Sequence, residues 1–245
     1  MGYETTIVAF IEILGLNNSI DKSNAEALES GRILESINEL KDFFSLSGNY
    51  SELESNNISI AATELIQISN SLVVSRKIQD ESGIYRMLKD CSLAVHRLIG
   101  NGFLCSGAIK VGNLFSINNP HISDTYIKAW LAESNSQLPI ITFESELLDS
   151  VRYFQYPPNK GSEVLGTASG IKNCTELIPG IYYLDYFSDY NDHFGKEGAA
   201  AHYSKLREII EKGLQISTAF DQYRWAADQF NKSAAEYGLD KIEQL

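Results

Sequence analysis

Cysteines and basic residues are scarce in this sequence. Its 245 residues include three cysteines, Cys91, Cys105 and Cys174, which lie far apart and show no CxxC spacing. An odd, widely spaced set argues against a disulfide framework and a structural zinc site. The 20 Lys and Arg residues are outnumbered by 32 Asp and Glu residues, which gives a formal charge of -12. Nucleic acids and anionic membranes both require a basic protein face, so neither is an expected partner.

Long apolar runs and common catalytic motifs are also missing. No apolar run reaches the length of a membrane span, and residues 1–6 lack the basic start and apolar core of a secretion signal. We therefore expect a cytoplasmic protein. The sequence contains no GxSxG, no Walker-type phosphate loop, no HExxH and no Cys/His pair at metal spacing. Enzyme classes that depend on those motifs have no support.

The remaining composition is that of a globular protein. Hydrophobic residues make up 44% of the chain and charged residues 21%, which argues against disorder. The length fits one large domain, or a domain of about 150 residues with a C-terminal extension. The acidic charge still permits a nucleoside triphosphate as ligand, because a few local cations or a metal can neutralise it.

One carboxylate lies inside the first predicted strand. Residues 6–16 are nearly all apolar, and the run is continuous enough to predict a strand covered on both faces. Glu12 is the only charged residue in it. A carboxylate among aliphatic side chains must be paired, hydrogen-bonded, protonated or bound to a cation. The alternative is that Glu12 lies near the open end of the strand and meets water.

The pattern along the chain predicts an α+β fold, ferredoxin-like or palm-type, with an antiparallel-rich sheet. His96 is expected on the polar flank of its helix, most simply as a solvated or locally bonded side chain. The predicted elements are a capped helix that starts at 23–26 and ends near Ser45, a loop at 45–57, a hairpin within 58–75, a helix at 82–100, a strand at 103–111, a helix at 124–134, a strand at 138–143 and a helix at 144–151.

The C-terminal third is predicted to be simpler. Residues 153–179 hold three of the five prolines and indicate a long irregular connection, followed by a strand at 180–187. A long helical pattern covers 198–231. We expect a core at 1–152, a connection with a further strand in the same domain at 153–197, and a C-terminal helix and tail at 198–245. Asp185 and the acidic residues within 189–192 are either a cation site or a solvated loop.

The predicted hairpin has a geometric consequence for Glu12. If it lies beside the first strand, its turn brings Asn70 close to Glu12. In palm-type enzymes this point holds a pair of magnesium ions that align a triphosphate. Here the ligands would be one carboxylate and one neutral amide.

Several segments resemble the bacterial class III nucleotide cyclase homology domain. They are residues 8–15, 68–75, 106–112, 126–134 and 223–231. More narrowly, they resemble the divergent branch that includes the pyrimidine (cytidylate or uridylate) cyclases of antiphage signalling systems. The resemblance implies a dimer of head-to-tail protomers and two metal ions, Mg²⁺ or Mn²⁺, held by one aspartate of the first strand and one of the hairpin. Those aspartates correspond to Glu12 and Asn70.

The sequence departs from that pattern at several positions. Glu for Asp keeps the charge but displaces a ligand oxygen by about an ångström, and Asn for Asp removes one of two formal charges. Ile127 and Leu131 occupy positions where the wider family has an Asn and an Arg. The stretch Cys105-Ser106-Gly107 lacks the Arg that the branch often has there. Lys110 and Lys128 are the nearby cations in sequence, unless they are solvated surface residues.

The resemblance also implies a nucleotide site beside the metal position. The residues assigned to it are Ile13, Leu14, Gly15, Ser69, Ser71 and Lys128. Its ligand would be a nucleoside triphosphate or a cyclic nucleotide.

Three functions are compatible with this sequence. The first is a cyclase-like pseudoenzyme that binds nucleotide and acts as a regulatory half of a homodimer, or of a heterodimer with a related cyclase, in antiphage signalling. The second is an active cyclase, a lyase that converts a pyrimidine nucleoside triphosphate to a 3',5'-cyclic monophosphate. The third is a dimeric interaction scaffold.

Overall fold

The computed structural model describes residues 4–14, 25–49, 63–78, 81–114, 129, 138–152, 174–188, 191–215 and 220–243. These residues contain seven strands and five helices. In chain order the elements are β1 (Glu4–Ile13), α1 (Ala25–Asn49), β2 (Glu64–Ile68), β3 (Ser71–Lys77), α2 (Glu81–Asn101), β4 (Cys105–Leu114), β5 (Ile141–Glu144), α3 (Ser145–Arg152), β6 (Cys174–Ile178), β7 (Ile181–Leu184), α4 (Asn191–Gly213) and α5 (Phe220–Tyr237).

The seven strands form one sheet in the order β2-β3-β1-β4-β5-β7-β6. Every neighbouring pair is antiparallel except β4 and β5, which run parallel. The first half, β1-α1-β2-β3-α2-β4, has the ferredoxin-like connectivity. The predicted α+β, palm-type fold with an antiparallel-rich sheet is therefore confirmed.

Strand β1 lies in the middle of the first half of the sheet and is buried on both faces. Ile7 and Ile11 point into the main core with the helices. Val8 and Phe10 point the opposite way, into a smaller cluster with Val73 and Ala129. Because successive side chains of a strand alternate between faces, an almost continuous apolar run was required here. This confirms the prediction of a strand covered on both sides.

Helix α1 buries one stripe against the main core, through Ile33, Ile37, Leu40 and Phe44. The predicted end near Ser45 was wrong, because the helix continues to Asn49. In its polar last turn, Ser47 forms hydrogen bonds both within the helix and with the sheet. The Ser47 hydroxyl donates to the Phe44 carbonyl over 3.2 Å and accepts a hydrogen bond from Arg76 of β3. The predicted loop at 45–57 therefore loses its first five residues to the helix, and its remainder lies outside the described residues.

Helix α2 ends as the glycines at 100–102 predict. Gly102 has a φ of 92°, a conformation that costs little only for glycine. The Phe103 amide then donates to the Leu98 carbonyl over 2.9 Å, which completes a Schellman cap. Of the two alternatives predicted for His96 on this helix, the solvated side chain was wrong and the locally bonded one stands. His96 is only 8% exposed, and its ring packs edge-on against His202 of α4 with centroids 5.1 Å apart.

The C-terminal third contains more structure than the sequence pattern predicts. The end of the expected irregular connection forms β6, which joins β7 through the turn at Pro179 and Gly180. The single helix expected within 198–245 is two helices, and the first already begins at Asn191. Residues 153–173 and all of the predicted helix at 124–134 except Ala129 lie outside the described residues. Within the described part of the chain, no helix is long and apolar enough to cross a membrane.

Candidate functional site

Glu12 lies near the end of β1, on the face of the sheet that carries Val8 and Phe10. The register places Ser71 of β3 opposite it on one side and Ser106 of β4 on the other. Side chains that are directly opposite in an antiparallel pair share a face and lie about 5 Å apart at Cβ. Glu12 is therefore held between two serines. Both serines are buried, whereas Glu12 itself is only partly buried.

The close approach of β4 to β1 depends on Gly107. A Cβ atom at this position would lie 2.4 Å from the Phe10 carbonyl oxygen and 3.1 Å from the Ile141 side chain. The first of these distances is not sterically allowed for a backbone atom. Gly107 thus allows Ser106, its neighbour in the chain, to lie beside Glu12.

The β2–β3 hairpin supplies the second polar group. Its two-residue turn consists of Ser69 and Asn70, and Ser69 has a φ of 53°. Positive φ is unfavourable for a residue with a Cβ, so the turn is held by its surroundings. One such contact is the hydrogen bond from the Ile13 amide to the Asn70 carbonyl, 3.0 Å. This bond fixes the turn against the end of β1.

The Asn70 side chain contacts Glu12 through its nitrogen. Nδ2 donates to Glu12 Oε1 over 3.2 Å and to the Ile13 carbonyl oxygen over 2.9 Å. Both partners are pure acceptors, so they determine which end of the amide faces them. The predicted proximity of Glu12 and Asn70 is thus present, but with the donor end of the amide directed at the carboxylate.

This donor set does not fit a pair of divalent ions. Hard cations require oxygen ligands, and here the Asn70 oxygen would reach the Glu12 side only if the amide turned over. Turning it would break both hydrogen bonds, at a cost of about 2 kcal/mol or more, which is roughly 30-fold in affinity. Within the described residues, no three His, Cys, Asp or Glu side chains are grouped closely enough to hold a metal ion.

Glu12 also keeps an unbalanced charge. Its hydrogen-bond partner Asn70 is neutral, and Glu12 forms no ion pair with any residue in the described ranges. Lys110, predicted as either a phosphate contact or a surface lysine, donates instead to Glu144 over 2.6 Å. Lys128 lies outside the described residues. Counted over the described residues alone, the end of β1 therefore carries one net negative charge.

The residues assigned to a nucleotide site at the end of β1 differ in burial and in hydrogen bonding. The Ile13 side chain is buried, and the amides of Ile13 and Leu14 already donate to the carbonyls of Asn70 and Leu104. Ser69 is exposed and Ser71 is buried beside Glu12. Gly15 lies outside the described residues, and the nucleotide assignments stay predictions.

Two residues in the same row of side chains as Glu12 were not assigned a role from the sequence. Ser106 lies beside it across β4, and Ile68 continues the same row of side chains beyond Ser71. Ile68 is 46% exposed although it is a large apolar residue. Only strand register identifies these neighbours, and register depends on pairing between distant segments.

In the second acidic region, Asp185 is a structural residue, and residues 189–190 lie outside the described residues. Asp185 is buried and accepts hydrogen bonds from the Thr175 hydroxyl (2.7 Å), the Phe187 amide (2.9 Å) and the Ser188 hydroxyl (3.0 Å). These donors satisfy the carboxylate without a cation. Burial, together with the charge of Asp185, raises the pKa of the Cys174 thiol to about 12. This thiol is therefore protonated and is not a nucleophile at neutral pH.

Comparison with solved structures identifies the fold as that of nucleotide cyclase catalytic domains. The adenylyl cyclase CyaB from P. aeruginosa superposes with a TM-score of 0.50 at 11% identity, over 77% of this chain and 97% of the other. A bacterial light-regulated adenylyl cyclase gives 0.47 at 12% identity, over 85% of this chain and 100% of the other.

A third similar structure is a dimeric guanylyl cyclase domain of the RhoGC fusion protein from the aquatic fungus Blastocladiella emersonii. It gives a TM-score of 0.46 at 10% identity, over 74% of this chain and 93% of the other. No protein-family model and no curated protein sequence matches the chain.

Proposed function

We propose that this chain is a cyclase-like nucleotide-binding protein with impaired catalysis, which acts as a regulatory partner of a related cyclase. The observation that supports it best is the hydrogen bond from Asn70 Nδ2 to Glu12 Oε1. It uses the carboxylate for an internal contact where the resembling family has two metal-binding aspartates. The resemblance to the pyrimidine-cyclase branch supports a role in antiphage cyclic-nucleotide signalling.

Cyclisation requires attack at an α-phosphorus whose charge is neutralised, and two divalent ions usually provide this neutralisation. The end of β1 has one carboxylate, and the NH₂ group of Asn70 is directed at it. Such a site holds divalent ions weakly. The fold can still present a nucleotide site at Ser69 and Ser71 without carrying out the reaction. Head-to-tail pairing with a related cyclase would then place this site at the interface.

A turnover assay tests the proposal. The purified chain is incubated with each of the four ribonucleoside triphosphates and Mg²⁺ or Mn²⁺, and products are separated by chromatography. We expect no cyclic nucleotide, together with a rise in melting temperature on addition of at least one triphosphate without metal. Metal-dependent cyclisation that disappears in Glu12→Gln would overturn the proposal and establish the active-cyclase alternative.

Restoring the two aspartates provides the complementary test. We expect the double variant Glu12→Asp/Asn70→Asp to gain a Mn²⁺-dependent rise in melting temperature that the unmodified chain lacks. Gln67→Glu is the matched control. It adds one negative charge to the same hairpin but next to Lys41, on the other face. An equal Mn²⁺ response in this control would show that the strand end is not the metal position.

A further inference from the structure

We infer that Glu12 is the docking point for an arginine side chain of a partner protein. The inference rests on the proposed loss of the metal site and names the chemistry that replaces the metal. It starts from the mismatch between a site expected to hold two divalent ions and the single charge found there.

The charge at the strand end matches one positive charge. Glu12 contributes one negative charge, Asn70 contributes none, and no ion pair within the described residues compensates it. A guanidinium carries one positive charge and only donors. It can therefore bind the second carboxylate oxygen of Glu12 while the Asn70 hydrogen bonds stay intact. A divalent ion would leave an excess charge and require the amide to turn.

The surface beside Glu12 suits the apolar part of an arginine. On the same face, Ile68 and Ile66 of the edge strand β2 are 46% and 38% exposed. The register connects Ile68 to Ser71 and Ser71 to Glu12, so the exposed isoleucines lie two strands away from the carboxylate. An arginine packs its methylene stem on apolar surface and extends its charged head beyond it. Ile68 and Glu12 provide these two contacts in the required order.

The overall charge favours a different protein over a second copy of this chain. Two copies would each carry a formal charge of -12 and repel each other. A partner with a basic patch would be attracted, and burial against Ile66 and Ile68 would strengthen the ion pair. We therefore assign the surface of Glu12, Ile66 and Ile68 to a heterologous partner.

The test uses two synthetic peptides and the full chain. The probe is acetyl-Leu-Arg-Leu-amide, and its control carries citrulline, which has nearly the same shape without the charge. Binding is followed by ¹⁵N–¹H NMR at the side-chain NH₂ group of Asn70. We expect half-saturation at a concentration about tenfold lower for the arginine peptide than for the citrulline peptide. Equal half-saturation concentrations would overturn the inference.

Matched variants separate the two contacts. Glu12→Gln should reduce the arginine-to-citrulline ratio to nearly one, whereas Glu64→Gln, which removes a carboxylate elsewhere on β2, should preserve it. Ile68→Ser should weaken both peptides about threefold, and Ile178→Ser on the opposite edge strand should weaken neither. Loss of the ratio in Glu64→Gln would show nonspecific attraction to an acidic surface and would also overturn the inference.

The remaining outcomes distinguish this inference from the proposed function. Displacement of the arginine peptide by about 1 mM MgCl₂ would identify a metal site and would contradict both. Asn70 resonances that shift with protein concentration alone would identify a second copy as the occupant and overturn the heterologous partner. If the peptides bind equally and the turnover assay shows no cyclic nucleotide, only the docking inference fails.

Discussion

Two polar pairs lie at opposite ends of β3, and they differ in how completely their charge is balanced. At one end, Arg76 forms an ion pair with Asp90 of α2 over 2.6 Å, with side-chain exposures of 8% and 12%. The same guanidinium donates to Thr63 (3.0 Å) and Ser47 (2.8 Å). At the other end, Glu12 is partly exposed, and its side-chain partner within the described ranges is the neutral amide of Asn70.

The difference separates a structural pair from a functional candidate. The Arg76 cluster connects β3, α1, α2 and the residue before β2, and its charges cancel inside the protein. Such a cluster needs nothing from outside. Among the described residues, nothing balances the charge of the partly buried Glu12, so this end of the strand is open to a group from outside. Whether the charge of a polar side chain is balanced by its neighbours therefore separates groups that stabilise the fold from candidates for binding.

Breaking the balanced pair should have the largest effect. Arg76→Met leaves the Asp90 carboxylate buried without its partner, and we expect a loss of about 3–5 kcal/mol in the free energy of unfolding by urea. The double variant Arg76→Met/Asp90→Leu should recover a substantial part of this loss. Lys205→Met removes an exposed pair with Glu208 and should change stability by at most about 0.5 kcal/mol. A cost below about 1 kcal/mol for Arg76→Met would contradict the comparison.

The second effect concerns a buried group that must stay neutral. Burial lowers the pKa of His202 from 6.5 to about 4, opposed by its contact with the Tyr186 carbonyl. The unfolded chain therefore binds this proton more readily. The stability that neutral His202 provides is complete above pH 6.5 and is lost as the pH falls from 6.5 towards about 4.

We expect this loss to amount to about 1–3 kcal/mol, measured by urea unfolding between pH 7 and 4.5. His202→Phe should flatten the curve over that interval, because it removes the titrating group while keeping a ring against His96. An unchanged pH dependence in this variant would assign the effect to other groups.

A smaller effect tests whether the backbone of the turn at Ser69 and Asn70, next to Glu12, is strained. Within the described residues, Ser69 alone has a positive φ without being glycine. Ser69→Gly should therefore raise the free energy of unfolding by about 0.5–1 kcal/mol, measured by urea titration. Ser75→Gly, inside β3, is the control and should lower it, because glycine weakens a strand interior. Destabilisation by both variants would show that the turn is not strained.

The smallest effect is expected at Glu12 itself. Glu12→Gln removes an uncompensated charge, so the free energy of unfolding should change by no more than about 0.5 kcal/mol or rise slightly. Asp90→Asn, the same change of carboxylate to amide, should cost several times more because Arg76 then loses its counter-charge. Equal costs for the two variants in urea unfolding would remove the distinction between the two ends of β3.

Local patterns predict much of the first half of the fold. The apolar run of β1, the hairpin around Ser69 and Asn70, and the glycine end of α2 all follow from neighbouring residues. The errors lie where tertiary contacts decide. Helix α1 continues to Asn49 with a contact from Ser47 to Arg76, and His96 is buried because α4 covers its flank. Neither contact leaves a periodic signal in the sequence.

The candidate site could likewise be predicted only in part. The residue pattern predicts that Glu12 and Asn70 meet on the condition that the hairpin pairs with the first strand, and the structure shows this pairing. How the two side chains contact each other depends on long-range packing. The Ile13 carbonyl and the Glu12 carboxylate both accept from Asn70 Nδ2, and this shared demand directs the amide donor inward. Amide orientation depends on acceptors brought together by folding, and composition and spacing do not record it.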